Sequence, residues 1–111
     1  MKVLLDENLP KRLKLDLAEH TVFTVSDRGW LGRQNGDLLR AMIADGFDVL
    51  FTFDKNRRFQ QNFQKYPIAV AVLHAPDNTY LTLRQLVPQL RQLLAGPLAP
   101  GPVVVSLSEA E

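Results

Sequence analysis

Cysteine is absent from this chain of 111 residues, and its absence excludes several classes of function. Without thiols the chain forms no disulfide scaffold, zinc–thiolate site or iron–sulfur cluster, and it has no cysteine nucleophile. Long hydrophobic runs are missing too. The longest, at residues 3–5, 69–73 and 103–105, are far shorter than the ~18–20 residues of a membrane-spanning helix. The start turns acidic at Asp6, too early for a signal peptide. We therefore expect a cytoplasmic protein with no membrane partner.

Neither sign of charge dominates: 13 Lys and Arg residues stand against 12 Asp and Glu residues, so the net charge is +1. Apolar residues make up 46 % of the chain, which is ordinary for a globular protein. The length predicts a single domain. Residues 1–95 should carry the main fold, and residues 96–111 should form a Pro/Gly-rich connection and a C-terminal edge strand of the same domain.

Short apolar runs alternate with amphipathic segments along the chain. Strands are predicted at residues 2–5, 21–25, 48–53, 68–73 and 103–107, and helices at residues 9–20, 37–45, 56–66 and 83–94. This alternation predicts an α/β fold: a three-layer α/β/α open sheet of about five mainly parallel strands joined by right-handed crossovers.

Three local features refine the helices. Leu9, Leu13 and Leu17 share one face of the first helix, and Asn8 is its predicted cap. Thr82 is the predicted cap of the last helix. Pro88 should kink that helix or delay its start.

Carboxylates follow two of the predicted strands. Asp6 comes after the first strand, Asp54 after the third, and Asp37 opens the second helix. Ligand sites of open α/β sheets lie beyond the carboxyl ends of the strands, so these side chains should converge. Each aspartate alone is also common in turns and helix starts. Together, without Cys or His, they favour a site for Mg²⁺ or Mn²⁺.

Basic residues cluster after the same strand ends. They are eight of the 13 cations of the chain: Lys11, Arg12, Lys14, Arg28, Arg33, Lys55, Arg57 and Arg58. An acidic pocket with a basic rim suits a phosphodiester substrate, although any one of these residues serves equally well as solvated surface. Trp30, between glycines, suits either stacking on a base or packing, and we favour packing.

Three segments together resemble the PIN-like domains, and most of all the short branch related to VapC-type toxins. They are Leu4-Leu5-Asp6-Glu7-Asn8-Leu9-Pro10, Gly36-Asp37 and Thr52-Phe53-Asp54-Lys55. The resemblance spans about residues 1–94. It implies an α/β/α nuclease that gathers acidic residues around Mg²⁺ or Mn²⁺ and cuts single-stranded RNA. Many members are toxins neutralised by a small antitoxin.

By this resemblance Asp6, Asp37 and Asp54 are the catalytic metal ligands. The branch usually has a second aspartate after Thr-x-Asp-Lys, where this chain has Asn56, and its phenylalanine arrives two residues late. An amide oxygen still binds a hard cation, so Asn56 stays in the metal set with one charge missing.

The substrate side of the predicted site is also specified. Lys55, Arg57 and Arg58 are expected to position the RNA backbone. Thr52 is expected to orient a water or a carboxylate through its hydroxyl, and Asn8 completes this substrate-binding set.

Two alternatives to a nuclease stay open. The charge lost at Asn56 is compatible with a PIN-like domain that only binds. A phospho-acceptor receiver domain would also have adjacent acids such as Asp6-Glu7 and an aspartate at position 54, but it needs a lysine after the last strand, where this chain has none. The sequence leaves open both an antitoxin partner and a homodimer.

Overall fold

Parallel strands form the middle layer of the protein in the computed structural model, which describes residues 1–33, 35–53 and 66–106. The sheet has five strands in the order β2-β1-β3-β4-β5, and every neighbouring pair is parallel. The strands are β1 (Lys2–Leu5), β2 (Thr21–Thr24), β3 (Val49–Phe53), β4 (Ala69–His74) and β5 (Gly101–Ser106). The predicted three-layer, single-sheet α/β architecture is confirmed.

Short helices connect these strands. They are α1 (Leu13–Asp16), α2 (Asn35–Ala44), α3 (Tyr80–Leu83), a 3₁₀ turn (Arg84–Leu86) and α4 (Val87–Leu94). The helix predicted at residues 56–66 lies outside the described residues except for its last one. In the part of the chain described, no helix is long and apolar enough to cross a membrane.

Alternating side chains of the strands build two separate cores. The first core lies between the sheet and α1, α3 and α4, and the sheet contributes residues such as Leu5, Phe51 and Leu73. The second core lies on the opposite face, where Leu50 and Val72 pack with α2. Because both faces are covered, β1, β3 and β4 are nearly continuous apolar runs, as buried parallel strands should be.

The crossovers differ in hand. The connection from β1 to β2 passes over the α1 face, and that from β2 to β3 steps the other way over the α2 face, so the two share one hand. From β4 to β5 the chain steps in the same direction as from β2 to β3, yet α3 and α4 pack on the α1 face. The last crossover therefore has the opposite hand, and the prediction of uniformly right-handed crossovers is wrong.

Contacts between helices tie α3 and α4 to the region of α1. The Tyr80 hydroxyl donates to the Asp16 carboxylate at 2.6 Å, and the Arg91 guanidinium donates to the Asp16 carbonyl at 2.7 Å. These bonds, together with the buried leucines of α3 and α4, hold the last helices beside α1.

The first helix is much shorter than predicted. Only one α-helical turn forms, and Arg12 rather than Asn8 occupies its N-cap, without a side-chain bond. The flanking bonds span three residues, as from Leu13 N–H to the Pro10 carbonyl, which is typical of tight 3₁₀-like turns. The predicted buried face is nevertheless correct: Leu9, Leu13 and Leu17 all lie in the core.

The last helical segment begins earlier than predicted and is interrupted. Thr79 rather than Thr82 is the N-cap, and its hydroxyl accepts from the Thr82 N–H at 3.4 Å. Pro88 lies in the first turn of α4, after the 3₁₀ turn, which confirms that proline delays the helix. At the sheet edge, β5 starts at Gly101, so Pro102 is tolerated within an edge strand.

Candidate functional site

A change of direction in the strand order marks the place for a ligand. The chain leaves β1 for β2 on one side and then returns past β1 to β3 on the other. In open α/β sheets, ligands bind beyond the carboxyl ends of the strands at such a switch point. Asp6 directly follows β1, and its N–H donates to the Phe51 carbonyl of β3 at 2.9 Å. The first predicted aspartate therefore lies at the switch point.

The Asp6 carboxylate is partly buried and held by two donors. The Thr52 hydroxyl donates to its Oδ2 at 2.7 Å, and the Glu7 backbone N–H donates to its Oδ1 at 2.8 Å. Burial raises the pKa of Asp6 above its ordinary value and outweighs these two hydrogen bonds, which lower the pKa; the charge of Glu7 raises it slightly more. A carboxylate that has lost water and keeps spare lone pairs is suited to neutralisation by a cation or a proton.

Thr52 positions this carboxylate. Replacing Thr52 with Val keeps the shape of the side chain but removes the donor to Asp6, so we expect the pKa of Asp6 to rise further. Thr52→Ser keeps the hydroxyl and should leave the pKa near its wild-type value. Carboxyl ¹³C NMR titration measures both variants, and equal titration of Asp6 in the Val variant and the wild type would contradict the role of Thr52.

Asn8 joins the ends of β1 and β3 through both atoms of its amide. Its Nδ2 donates to the Phe53 carbonyl at 2.8 Å, and its Oδ1 accepts from the Phe53 N–H at 3.3 Å. Its own carbonyl accepts from Asn78 Nδ2 at 2.9 Å. This pairing explains why Asn8 does not cap α1. It also places the amide in a positioning role at the end of β3.

Asp37 lies in the first turn of α2, where its side chain is 58 % exposed. Its Oδ1 accepts from Arg40, one turn later on the same helix, at 2.5 Å. Asp54, Lys55, Asn56, Arg57 and Arg58 lie outside the described residues. Within the described ranges no three His, Asp or Glu side chains are grouped to hold a metal. Asp54, the other aspartate predicted for the site, follows Phe53, the last residue of β3, in the chain.

Several members of the predicted basic rim have partners within the protein. Lys14 pairs with Asp27 at 2.7 Å, and this contact, with help from the Thr24 N–H, lowers the pKa of Asp27 to about 2. Arg28 pairs with Asp45 at 2.7 Å, and Arg12 lies over the Tyr80 ring. These three cations therefore stabilise local structure.

Trp30 packs against the second core, which confirms the prediction of packing for this residue. Its ring meets Phe47 edge-on, with a centroid distance of 5.8 Å. The guanidinium carbons of Arg28 and Arg33 lie 5.3 and 5.7 Å from the centre of the indole ring. The indole is thus part of a cation–aromatic cluster on the α2 face.

Glu7 is a site residue that the sequence analysis did not select. Its Oε1 accepts from the Gly32 N–H at 3.0 Å and so ties the loop after β1 to the loop before α2. Between these loops lies a cavity of about 260 Å³. Its lining residues are Asp6, Glu7, Leu9, Lys11, Thr24, Val25, Ser26 and Leu31. The adjacent acids Asp6-Glu7 were the available signal, but the partner at Gly32 is far away in the sequence.

Comparison with protein-family profiles, with curated proteins and with solved structures gives no match to this chain.

Proposed function

We propose that this protein is a divalent-metal-dependent ribonuclease of the PIN-like type. The observation that carries the proposal is the partly buried Asp6 carboxylate at the switch point, fixed by Thr52 of β3. In the chain Asp6 follows β1 and Asp54 follows β3, and these two strands are neighbours in the sheet. The resemblance of the segments around Asp6, Asp37 and Asp54 to PIN-like domains adds support.

The donor set fits a hard cation. Burial raises the pKa of Asp6, so its ionised form gains from a neighbouring cation. Each carboxylate oxygen accepts one hydrogen bond and still has a lone pair for a metal ion. Asp37, Asp54 and Asn56 are the proposed further ligands. A bound Mg²⁺ or Mn²⁺ supplies charge stabilisation at the scissile phosphate and lowers the pKa of the attacking water.

The remaining residues of the proposed site position the Asp6 carboxylate, the end of β3 and the RNA. Thr52 and the Glu7 N–H hold the Asp6 carboxylate in one orientation, and Asn8 holds the end of β3. Lys55, Arg57 and Arg58 are the proposed contacts to the phosphates of the RNA backbone. Two finer proposals rest on the resemblance: a toxin role and a small antitoxin as partner. A cytoplasmic location and pairing with a second copy of the chain are proposed from the sequence.

One observation favours an alternative. A phospho-acceptor receiver domain would share the strand order, although the last crossover of this chain has the opposite hand. Such a domain needs a lysine after the fifth strand, and residues 101–111 contain none. Labelling with acetyl phosphate tests this alternative: incorporation at Asp54 would favour the receiver and count against the nuclease.

The test of the nuclease is cleavage of single-stranded RNA with and without metal. We expect cleavage with millimolar Mn²⁺ or Mg²⁺ and none with chelator. The same ions should raise the unfolding temperature, because an ion at ~100 times its Kd stabilises the folded state by about 2.7 kcal/mol. Metal stabilisation without cleavage would leave the binding-domain alternative, and the absence of both would contradict the proposal.

Asn56→Asp restores the charge that the PIN-like pattern contains. Charges ~4 Å apart interact by several kcal/mol at an effective dielectric of ~20, so we expect about tenfold tighter Mn²⁺ binding or more. Calorimetric titration of both proteins measures the difference. Equal affinities would place Asn56 outside the metal site.

A further inference from the structure

The cavity between the loops after β1 and β2 adjoins the proposed metal site because Asp6 lines both. Its volume of about 260 Å³ is below the ~300–1,000 Å³ of pockets for drug-sized ligands. A single ring system therefore fits it, whereas a dinucleotide does not.

The wall combines apolar surface with groups that form hydrogen bonds. Leu31 supplies most of the apolar surface, while Leu9 and Val25 are buried in the cores and close the wall from behind. Polar residues line it from both sides: Asp6, Glu7 and Lys11 after β1, and Thr24 and Ser26 at and after the end of β2. A heteroaromatic ring packs its flat faces against apolar side chains and forms hydrogen bonds through the polar groups at its edge.

The charged residues of the wall restrict the class of ligand further. Two carboxylates, Asp6 and Glu7, line the cavity against one ammonium group, Lys11. An anionic ligand such as a phosphate would be repelled from this interior, whereas a neutral ring with amino donors would find acceptors there. The phosphate of a nucleotide would accordingly stay outside, on the side of the metal.

A hydrogen bond between the two loops holds the Leu31 side of the cavity in place. The bond from Gly32 N–H to Glu7 Oε1 holds the loop that carries Leu31 against the loop that carries Asp6. Gly32 has a φ of +83°, a conformation that favours glycine over other residues. Leu31 is 62 % exposed, which leaves its side chain at the mouth of the cavity.

We infer that this cavity binds one nucleobase of single-stranded RNA, next to the phosphate at Asp6. The inference rests on the proposed function, of which it specifies a substrate subsite. Single-stranded RNA is recognised through splayed bases that enter protein pockets, so a base beside the scissile phosphate is compatible with the chemistry.

Nucleoside binding without metal tests the subsite separately from cleavage. Adenosine, guanosine, cytidine and uridine are titrated to millimolar concentration in chelator, with ribose as the probe that lacks a base. Fluorescence of Trp30, the only tryptophan and the neighbour of Leu31, reports binding, and ligand-observed NMR gives an independent reading. We expect saturable binding of at least one nucleoside and none of ribose.

A matched pair of leucines supplies the control. Leu31→Ser removes the apolar mouth of the cavity and should weaken nucleoside binding at least about fivefold. Leu81→Ser, at a leucine that is 71 % exposed and does not line the cavity, should leave binding unchanged. Equal weakening in both variants would overturn the subsite.

The outcomes separate the two proposals. RNA cleavage without saturable binding of any nucleoside overturns the base subsite and leaves the nuclease standing. Nucleoside binding that depends on Leu31, in a protein that cleaves no RNA with any divalent ion, supports the cavity as a base site and overturns the nuclease.

Discussion

Asp6→Asn is expected to reduce metal-dependent RNA cleavage at least ~100-fold. Substitutions of residues that only support a metal ligand typically cost 10–100-fold, and the proposed role of Asp6 is that of a direct ligand. The amide keeps both existing contacts, since its oxygen accepts from the Glu7 N–H and its nitrogen donates to the Thr52 hydroxyl. The loss would therefore report the missing charge and not a disturbed loop.

The same substitution should stabilise the metal-free protein at neutral pH. Burial raises the pKa of Asp6 in the folded state, so its ionised form opposes folding. This penalty is absent at low pH, where Asp6 is protonated, and it develops as the pH rises from the ordinary pKa through the raised one. We expect a higher unfolding temperature for the variant at neutral pH, and a difference that disappears in acid.

Thermal unfolding with chelator and with Mn²⁺ measures the stability of the metal-free variant and the stabilisation that the metal adds. The variant should be the more stable protein without metal, and the wild type should be the more stable one with it. Asp48→Asn is the matched control because its carboxylate accepts from the Lys2 N–H at the amino ends of β1 and β3, away from Asp6. The same ranking of variant and wild type in both conditions would contradict a metal at Asp6.

Local patterns explain which parts of the fold were predictable. Apolar runs bounded by turn residues identified all five strands, and a proline in the last helix marked its interruption. The length of α1 was not readable, because the amide of Asn8 bonds to Phe53 far along the chain. The hand of the last crossover was hidden as well. An amphipathic stripe tells which residues are buried, not which face of the sheet covers them.

The candidate site shows the same division. Asp6 and Thr52 were selected because strand ends can be read from sequence, and the structure joins their side chains. The ion pair of Asp37 with Arg40 spans three residues and was readable in principle. The cavity between Glu7 and Leu31 was not, because it depends on two loops that meet only in the folded protein.

Asn8→Asp should weaken the site although it adds a carboxylate beside Asp6. The change replaces the Nδ2 donor with an oxygen that would face the Phe53 carbonyl at 2.8 Å. Losing this hydrogen bond and placing two acceptor oxygens against each other costs roughly 1–3 kcal/mol of folding free energy. Because Phe53 precedes Asp54, we also expect weaker Mn²⁺ binding, which is opposite to the result expected for Asn56→Asp.

Urea unfolding and Mn²⁺ titration of the two Asn→Asp variants check this contrast. Both variants add one negative charge, so a purely electrostatic effect would tighten Mn²⁺ binding in both. Asn8→Ser serves as the control, since it removes the amide contacts to Phe53 without adding charge and should lose stability without gaining affinity. Tighter Mn²⁺ binding in Asn8→Asp would show that charge near Asp6 outweighs the positioning of β3, and it would contradict the role assigned to Asn8.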